Sequence, residues 1–115
     1  HSNAVREVAY SPNGKWIASA SDDYTLRLWD VTTGKEIRSF KGHKGRIESV
    51  AFYPNGEKLI SASHDKTIRI WDVKTGKALL LLNKHTGPVY SVAISANGKI
   101  IVSGGADQTL LWNCP

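Results

Sequence analysis

Short runs of β-branched and aromatic residues recur along the chain, each closed by a turn-forming pair. This pattern predicts strands rather than helices. Val5 to Tyr10, Ile47 to Phe52 and Val89 to Ile94 are such runs, and each is followed by an Asn-Gly pair: Asn13-Gly14, Asn55-Gly56 and Asn97-Gly98. Asn-Gly tolerates positive φ and reverses the chain. Second strands are predicted at Trp16 to Ala20, Lys58 to Ala62 and Lys99 to Ser103. A tight turn around Asp23, Asp65 or Asp107 then leads to third strands at Thr25 to Trp29, Thr67 to Trp71 and Thr109 to Trp112. Thr33-Gly34 and Thr75-Gly76 supply the next reversal, before fourth strands at Glu36 to Phe40 and Ala78 to Leu82.

The recurrence has a fixed period. The stretches beginning at His1 and at His43 align without a gap and agree at 18 of 42 positions, and a third copy begins at His85. The predicted units are residues 1–41, 42–83 and 84–115, the last of them incomplete and without an outer strand. Each complete unit is a four-stranded antiparallel meander, because its loops are too short for the helical crossover that parallel strands require. Several strands are apolar on both faces, such as Lys58-Leu59-Ile60-Ser61-Ala62. A single sheet cannot bury both faces, so the units must stack on one another. Radial stacking gives an all-β fold: a partial β-propeller of about three four-stranded blades.

Composition narrows the functional classes. With 41% apolar and 22% charged residues the chain has the balance of a folded domain rather than a disordered polymer. The longest aliphatic run, Ala78 to Leu82, is far short of the roughly 20 residues of a membrane span, and no basic-then-apolar leader opens the sequence. The single cysteine, Cys114, cannot form an intrachain disulfide, which fits an intracellular setting, cytoplasmic or nuclear. The chain has no methionine and starts at His1, so it reads as a piece of a longer propeller. The net charge of +5 is concentrated in residues 43–84 and lies largely in turn segments such as Thr75-Gly76-Lys77. Solvated turn lysines are not the dense basic stripe with interleaved aromatics that marks a nucleic-acid footprint.

Two dipeptides carry a family resemblance. Trp29-Asp30 and Trp71-Asp72 close the third strands, each 28 residues after a histidine (His1, His43), and Gly42-His43 opens the second copy. With the Asp23 and Asp65 turns in register, the chain resembles the WD-repeat β-propeller family over essentially its whole length.

The resemblance implies a buried polar tetrad in each blade: His1, Ser19, Asp23 and Trp29; His43, Ser61, Asp65 and Trp71; His85, Ser103, Asp107 and Trp112. The residue types suit this, since indole only donates, serine and neutral histidine do both, and carboxylate accepts. His, Ser and Asp together also suggest a hydrolase triad, but a catalytic serine must be exposed beside an oxyanion hole. Here the trio repeats once per unit with serine inside an apolar strand, so the reading is structural and non-catalytic. The histidines of successive blades have no zinc-ligand spacing, and no metal or cofactor site is expected. His64 is an additional histidine in a turn, and Trp16 is expected to pack between blades.

The third copy departs from the pattern. Asp107 to Trp112 spans five steps where Asp23 to Trp29 spans six, and Lys84 and Asn113 replace the expected glycine and aspartate. Because strand side chains alternate, the lost residue should turn Trp112 to the opposite face unless the turn or a bulge absorbs it.

The functional expectation is a protein–protein interaction scaffold, completed by further blades from the same polypeptide or from another copy. By resemblance, partners would bind the rim formed by the loops before the first strands and between the second and third. Mapped here, that rim contains Arg6, Asp22, Arg46, Glu48, His64 and Tyr90, with Ala4, Pro88 and Ala106 beside them. Arg46, His64 and Tyr90 are the expected anchors. Two rival readings are a basic rim of Arg6, Lys44, Arg46 and Lys66 gripping phosphopeptide or nucleic acid, and a three-blade chain that assembles with itself. The outer strand Ala78 to Leu82 lacks the polar alternation of Glu36 to Phe40 and is a second candidate surface.

Overall fold

The computed structural model describes residues 4–83, 85–106 and 109–113. His1, Asp107 and Cys114 therefore lie outside the described residues. The described chain contains eleven strands and no helix: β1 (Val5–Tyr10), β2 (Trp16–Ser21), β3 (Thr25–Asp30), β4 (Glu36–Lys41), β5 (Ile47–Phe52), β6 (Lys58–Ser63), β7 (Ile68–Asp72), β8 (Ala78–Leu82), β9 (Val89–Ile94), β10 (Ile100–Gly105) and β11 (Thr109–Asn113). They form three antiparallel sheets, ordered β1-β2-β3-β4, β5-β6-β7-β8 and β9-β10-β11. These are the blades that the repeat predicts.

Turn chemistry sets the strand order. In the first blade Gly14 sits at φ 73° and its amide donates to the Ser11 carbonyl at 2.9 Å, while Asn13 Oδ1 accepts from the Lys15 amide at 3.0 Å. The next turn is less visible in the sequence. Tyr24 and Lys66 take positive φ (72° and 75°) without being glycine. The strain is offset by the preceding aspartates: Asp23 Oδ1 and Asp65 Oδ1 each accept the amide of the threonine two residues on, at 3.0 Å, and its hydroxyl.

Hydrophobic burial lies between the sheets. One cluster joins Ala18, Ala20, Leu26, Leu28 and Phe40 of the first blade to Ile47, Val50, Phe52, Leu59, Trp71 and Val73 of the second, with Trp16 packed against it. A second cluster repeats this one blade along, joining Ile60, Ala62, Ile68 and Ile70 to Val89, Val92 and Ile101. The apolar strand faces that meet between neighbouring sheets are thus covered from both sides, as their two-sided sequence requires.

The shortened third copy keeps its register. Ile101 pairs with Trp112 as Leu59 pairs with Trp71 and Ile17 with Trp29. The missing residue is taken out of the connection between Gly104 and Thr109, which is one residue shorter than that between Ala62 and Ile68. The expected inversion of Trp112 therefore does not occur. Shortening a turn costs less than breaking a ladder, because a slip in register would reverse every later side chain.

Candidate functional site

The polar centre of the second blade is complete. Trp71 Nε1–H donates to Ser61 Oγ at 2.8 Å, Ser61 Oγ meets His43 Nε2 at 2.7 Å, and His43 Nδ1 meets Asp65 Oδ2 at 2.8 Å. One assignment satisfies every member: serine accepts from indole and donates to Nε2, leaving Nδ1–H to donate to the carboxylate. Asp65 also accepts the Lys44 amide at 2.9 Å. Burial would push the Asp65 carboxyl up, but the hydrogen bonds from His43, Thr67 and Lys44 outweigh it and hold the group well below the usual carboxylate range.

In the third blade Trp112 Nε1 donates to Ser103 Oγ at 2.8 Å, and His85 Nε2 lies 2.8 Å from the same oxygen. In the first, Trp29 Nε1 donates to Ser19 Oγ at 2.9 Å. Ser61 and Ser103 are fully buried and Ser19 nearly so. Their hydroxyls are spent on internal ties and meet no open cleft, so these serines lack the exposure a nucleophile needs.

The rim residues come together in pairs across the strand ends. Arg6 Nε lies 2.6 Å from Asp22 Oδ1, and its Nη2 lies 3.0 Å from Oδ2, a two-point contact within the first blade. The hydrogen bond and charge of this pair raise the Arg6 pKa and lower that of Asp22. Arg46 Nε donates to Glu48 Oε1 at 2.7 Å in the second blade. His64 and Tyr90 stack between the second and third blades, with ring centroids 6.5 Å apart and planes tilted by 30°. Two of the four cations in the supposed basic rim, Arg6 and Arg46, are thus matched by carboxylates, and the net field there is weaker than the sequence count implies.

Between the first two blades this rim encloses a cleft of about 430 Å³. Asp22 and Tyr24 line it from one side; Lys44, Gly45, Arg46, His64 and Asp65 line it from the other. Gly45 allows the close approach, since a Cβ there would lie 3.0 Å from the Asp65 amide nitrogen. His64 Nδ1 is buried and has no hydrogen-bond partner among the described residues. Tyr24 was not anticipated by the rim mapping. Its signal was an aromatic directly after Asp22-Asp23, which the aspartate-stabilised turn lifts into solvent at 50% exposure.

The outer strand β8 is apolar and open, with Leu79, Leu80 and Leu81 all exposed. Among the described residues no three His, Cys, Asp or Glu side chains converge as a metal-ligand set, and no helix is long and apolar enough to cross a membrane.

Comparison with known proteins agrees with the stacked repeats. The family model described as WD domain, G-beta repeat matches three times, at residues 1–30, 34–72 and 76–113. The chain is 51% identical over 45 residues to the Notchless protein homolog of Arabidopsis thaliana, which covers 39% of this chain and 10% of that protein. It is 48% identical over 44 residues to the Denticleless protein homolog of Danio rerio (38% and 7%) and 49% identical over 41 residues to the ribosome biogenesis protein BOP1 of Rattus norvegicus (36% and 6%). The matched segment is a tenth or less of each of these relatives. Three family matches spanning almost the whole chain, on two four-stranded sheets and one three-stranded sheet, place this chain in the WD domain, G-beta repeat family.

Proposed function

We propose that the chain is a non-catalytic scaffold that binds protein or peptide partners at the end of the blades carrying the Tyr24–His64 cleft. The observation that carries this reading is the cleft itself. It combines an exposed aromatic, Tyr24, with two cations and the His64 side chain, on a rim packed over the blade cores beneath it. Arg and Tyr are the residue types that most often dominate binding energy. The relatives named for ribosome biogenesis suggest the setting, a multiprotein assembly inside the cell, cytoplasmic or nuclear.

Replacing Arg46 and Tyr24 together by alanine tests the reading, since both line the cleft. Both are partly exposed, and exposed ion pairs contribute about 0–1 kcal/mol, so the thermal transition should stay within a few degrees of the parent. Affinity for partners captured on the immobilised parent chain should fall about tenfold or more. Unchanged affinity removes the rim as the site. A partner held chiefly by phosphate charge would instead be released steeply by salt.

A further inference from the structure

The outer strands of the first two blades occupy the same place in the fold and differ in chemistry. Strands β4 and β8 each end their sheet, and each leaves one edge unpaired among the described residues. Such an edge is a template for a further strand unless charged side chains blunt it. Glu36, Arg38 and Lys41 do so in β4, whereas β8 reads Ala-Leu-Leu-Leu-Leu and carries no charge.

The two blades also differ beneath that edge. In the first, Arg27 Nη1 of β3 lies 2.7 Å from Glu36 Oε1 of β4. One repeat later Arg69 of β7 stands in the place of Arg27, but Ala78 stands in that of Glu36. Arg69 therefore lacks this carboxylate, and its Nε is buried with no hydrogen-bond partner among the described residues. Directly across from Arg69 lies Leu81, 46% exposed, where the first blade has the half-buried Ser39 across from Arg27.

Leu81 is open although a complete sheet faces it. It shares a face with Arg69 and, two positions along β7, with Trp71. Trp71 packs on Phe40 of the first blade, and both Trp71 and Arg69 lie against Gly42. That face therefore looks toward the four-stranded first blade. Cations gather along the same seam. Arg38 of β4 lies against the β7–β8 turn, its Cδ 3.6 Å from where a Cβ on Gly76 would sit, and Lys77 directly precedes Ala78. Glu36, the acidic residue of β4, is already engaged by Arg27.

We propose that an extended segment of a partner protein, mixing acidic and apolar residues, adds to β8 as a fifth strand. Its main chain completes the free edge, and an apolar side chain covers Leu81. A carboxylate two residues along takes on Arg69 the place that Glu36 takes on Arg27. This surface shares no residue with the Tyr24–His64 cleft.

Fluorescence anisotropy with a labelled decapeptide, Val-Val-Glu-Glu-Val-Val-Glu-Glu-Val-Val, tests the proposal. Along each face of this peptide, when extended, valine and glutamate alternate. The chain should bind it at least about tenfold more tightly than a twin with lysine for glutamate. Ala78→Glu and Leu81→Ser each give β8 the residue that β4 carries at an exposed or half-buried position, so both should keep the parent's circular dichroism. Ala78→Glu supplies Arg69 with an internal carboxylate and closes the site to the peptide's own, and Leu81→Ser removes the apolar contact. Each should weaken binding about tenfold or more. Bound peptide should slow hydrogen exchange at β8 amides, and the chain with Arg46 and Tyr24 both replaced by alanine should bind it as the parent does. Equal binding of the two peptides, no binding at millimolar peptide, or an Ala78→Glu chain that binds as the parent does overturns the proposal. So does protection confined to residues 44–46, or loss of binding in the double alanine chain, since either would place the peptide in the cleft.

Discussion

Trp71→Ala should leave most of the chain unfolded in mild denaturant. Trp71 is fully buried, and three independent contacts converge on it: its indole nitrogen donates to Ser61, its ring meets Phe40 edge-on at 5.8 Å, and His43 lies 5.9 Å away. Phe40 belongs to the first blade, so the side chain ties two blades together as well as two strands. Truncating a buried tryptophan costs about 3–5 kcal/mol. Domains of this size have about 5–15 kcal/mol in total. With a urea slope of about 1–3 kcal/mol per molar, the unfolding midpoint should fall by about 1 M or more. Trp29→Ala is the matched control, since Trp29 occupies the same register but is only partly buried, with no described blade covering its open side. Its loss should be visibly smaller. Equal losses at both positions would mean that packing between blades adds nothing to packing within one.

The sequence made the strands and their stacking legible for one physical reason: a two-residue alternation repeated at a fixed period leaves few ways to bury both faces of each strand. Val5–Tyr10, Ile47–Phe52 and Val89–Ile94 begin and end where the pattern places them. Strand ends beside serine were less legible. Ser21 and Ser63 extend β2 and β6, and both side chains are buried, each donating to a backbone carbonyl of the preceding segment. The third copy exposed a limit of counting residues along the chain. A deletion between Asp107 and Trp112 gives the same spacing whether it shortens a strand or a turn, and only the pairing of Ile101 with Trp112 distinguishes the two.

At the rim, position could be read but pairing could not. Arg6 and Asp22 are 16 residues apart in sequence, and Glu7 reaches Ser49 across 42. The fold makes those contacts, and a charge count cannot anticipate which cations it neutralises. Tyr24 was harder to read for a related reason. A non-glycine residue at positive φ is tolerated only because Asp23 captures the Thr25 amide and hydroxyl, a condition set by the turn and not by Tyr24 itself.

Asp65→Asn should destabilise the second blade near neutral pH and lose that effect in acid. The carboxylate is nearly covered and accepts from His43 Nδ1, the Lys44 amide, and the amide and hydroxyl of Thr67. An asparagine has one oxygen for these donors, and its amide hydrogens must face at least one of them. Hydrogen bonds to a charged group contribute more than neutral ones, and an unmet buried donor costs about 1–3 kcal/mol, so a loss of about that size is expected at pH 7. The sign of the pH dependence follows from the depressed carboxyl. In the unfolded chain Asp65 titrates near the ordinary value of about 3.9, whereas in the folded chain it titrates well below that. Its stabilisation is therefore complete above about pH 5 and is lost as pH falls from about 4 toward the folded value, because there the unfolded state binds the proton more readily. Asparagine has no such dependence. The gap between the denaturation midpoints of parent and variant should thus be constant above about pH 5 and narrow progressively as pH falls below about 4; a gap that stays constant through that acid range would show that the Asp65 carboxylate is not held by the His43–Ser61–Trp71 chain in its charged form.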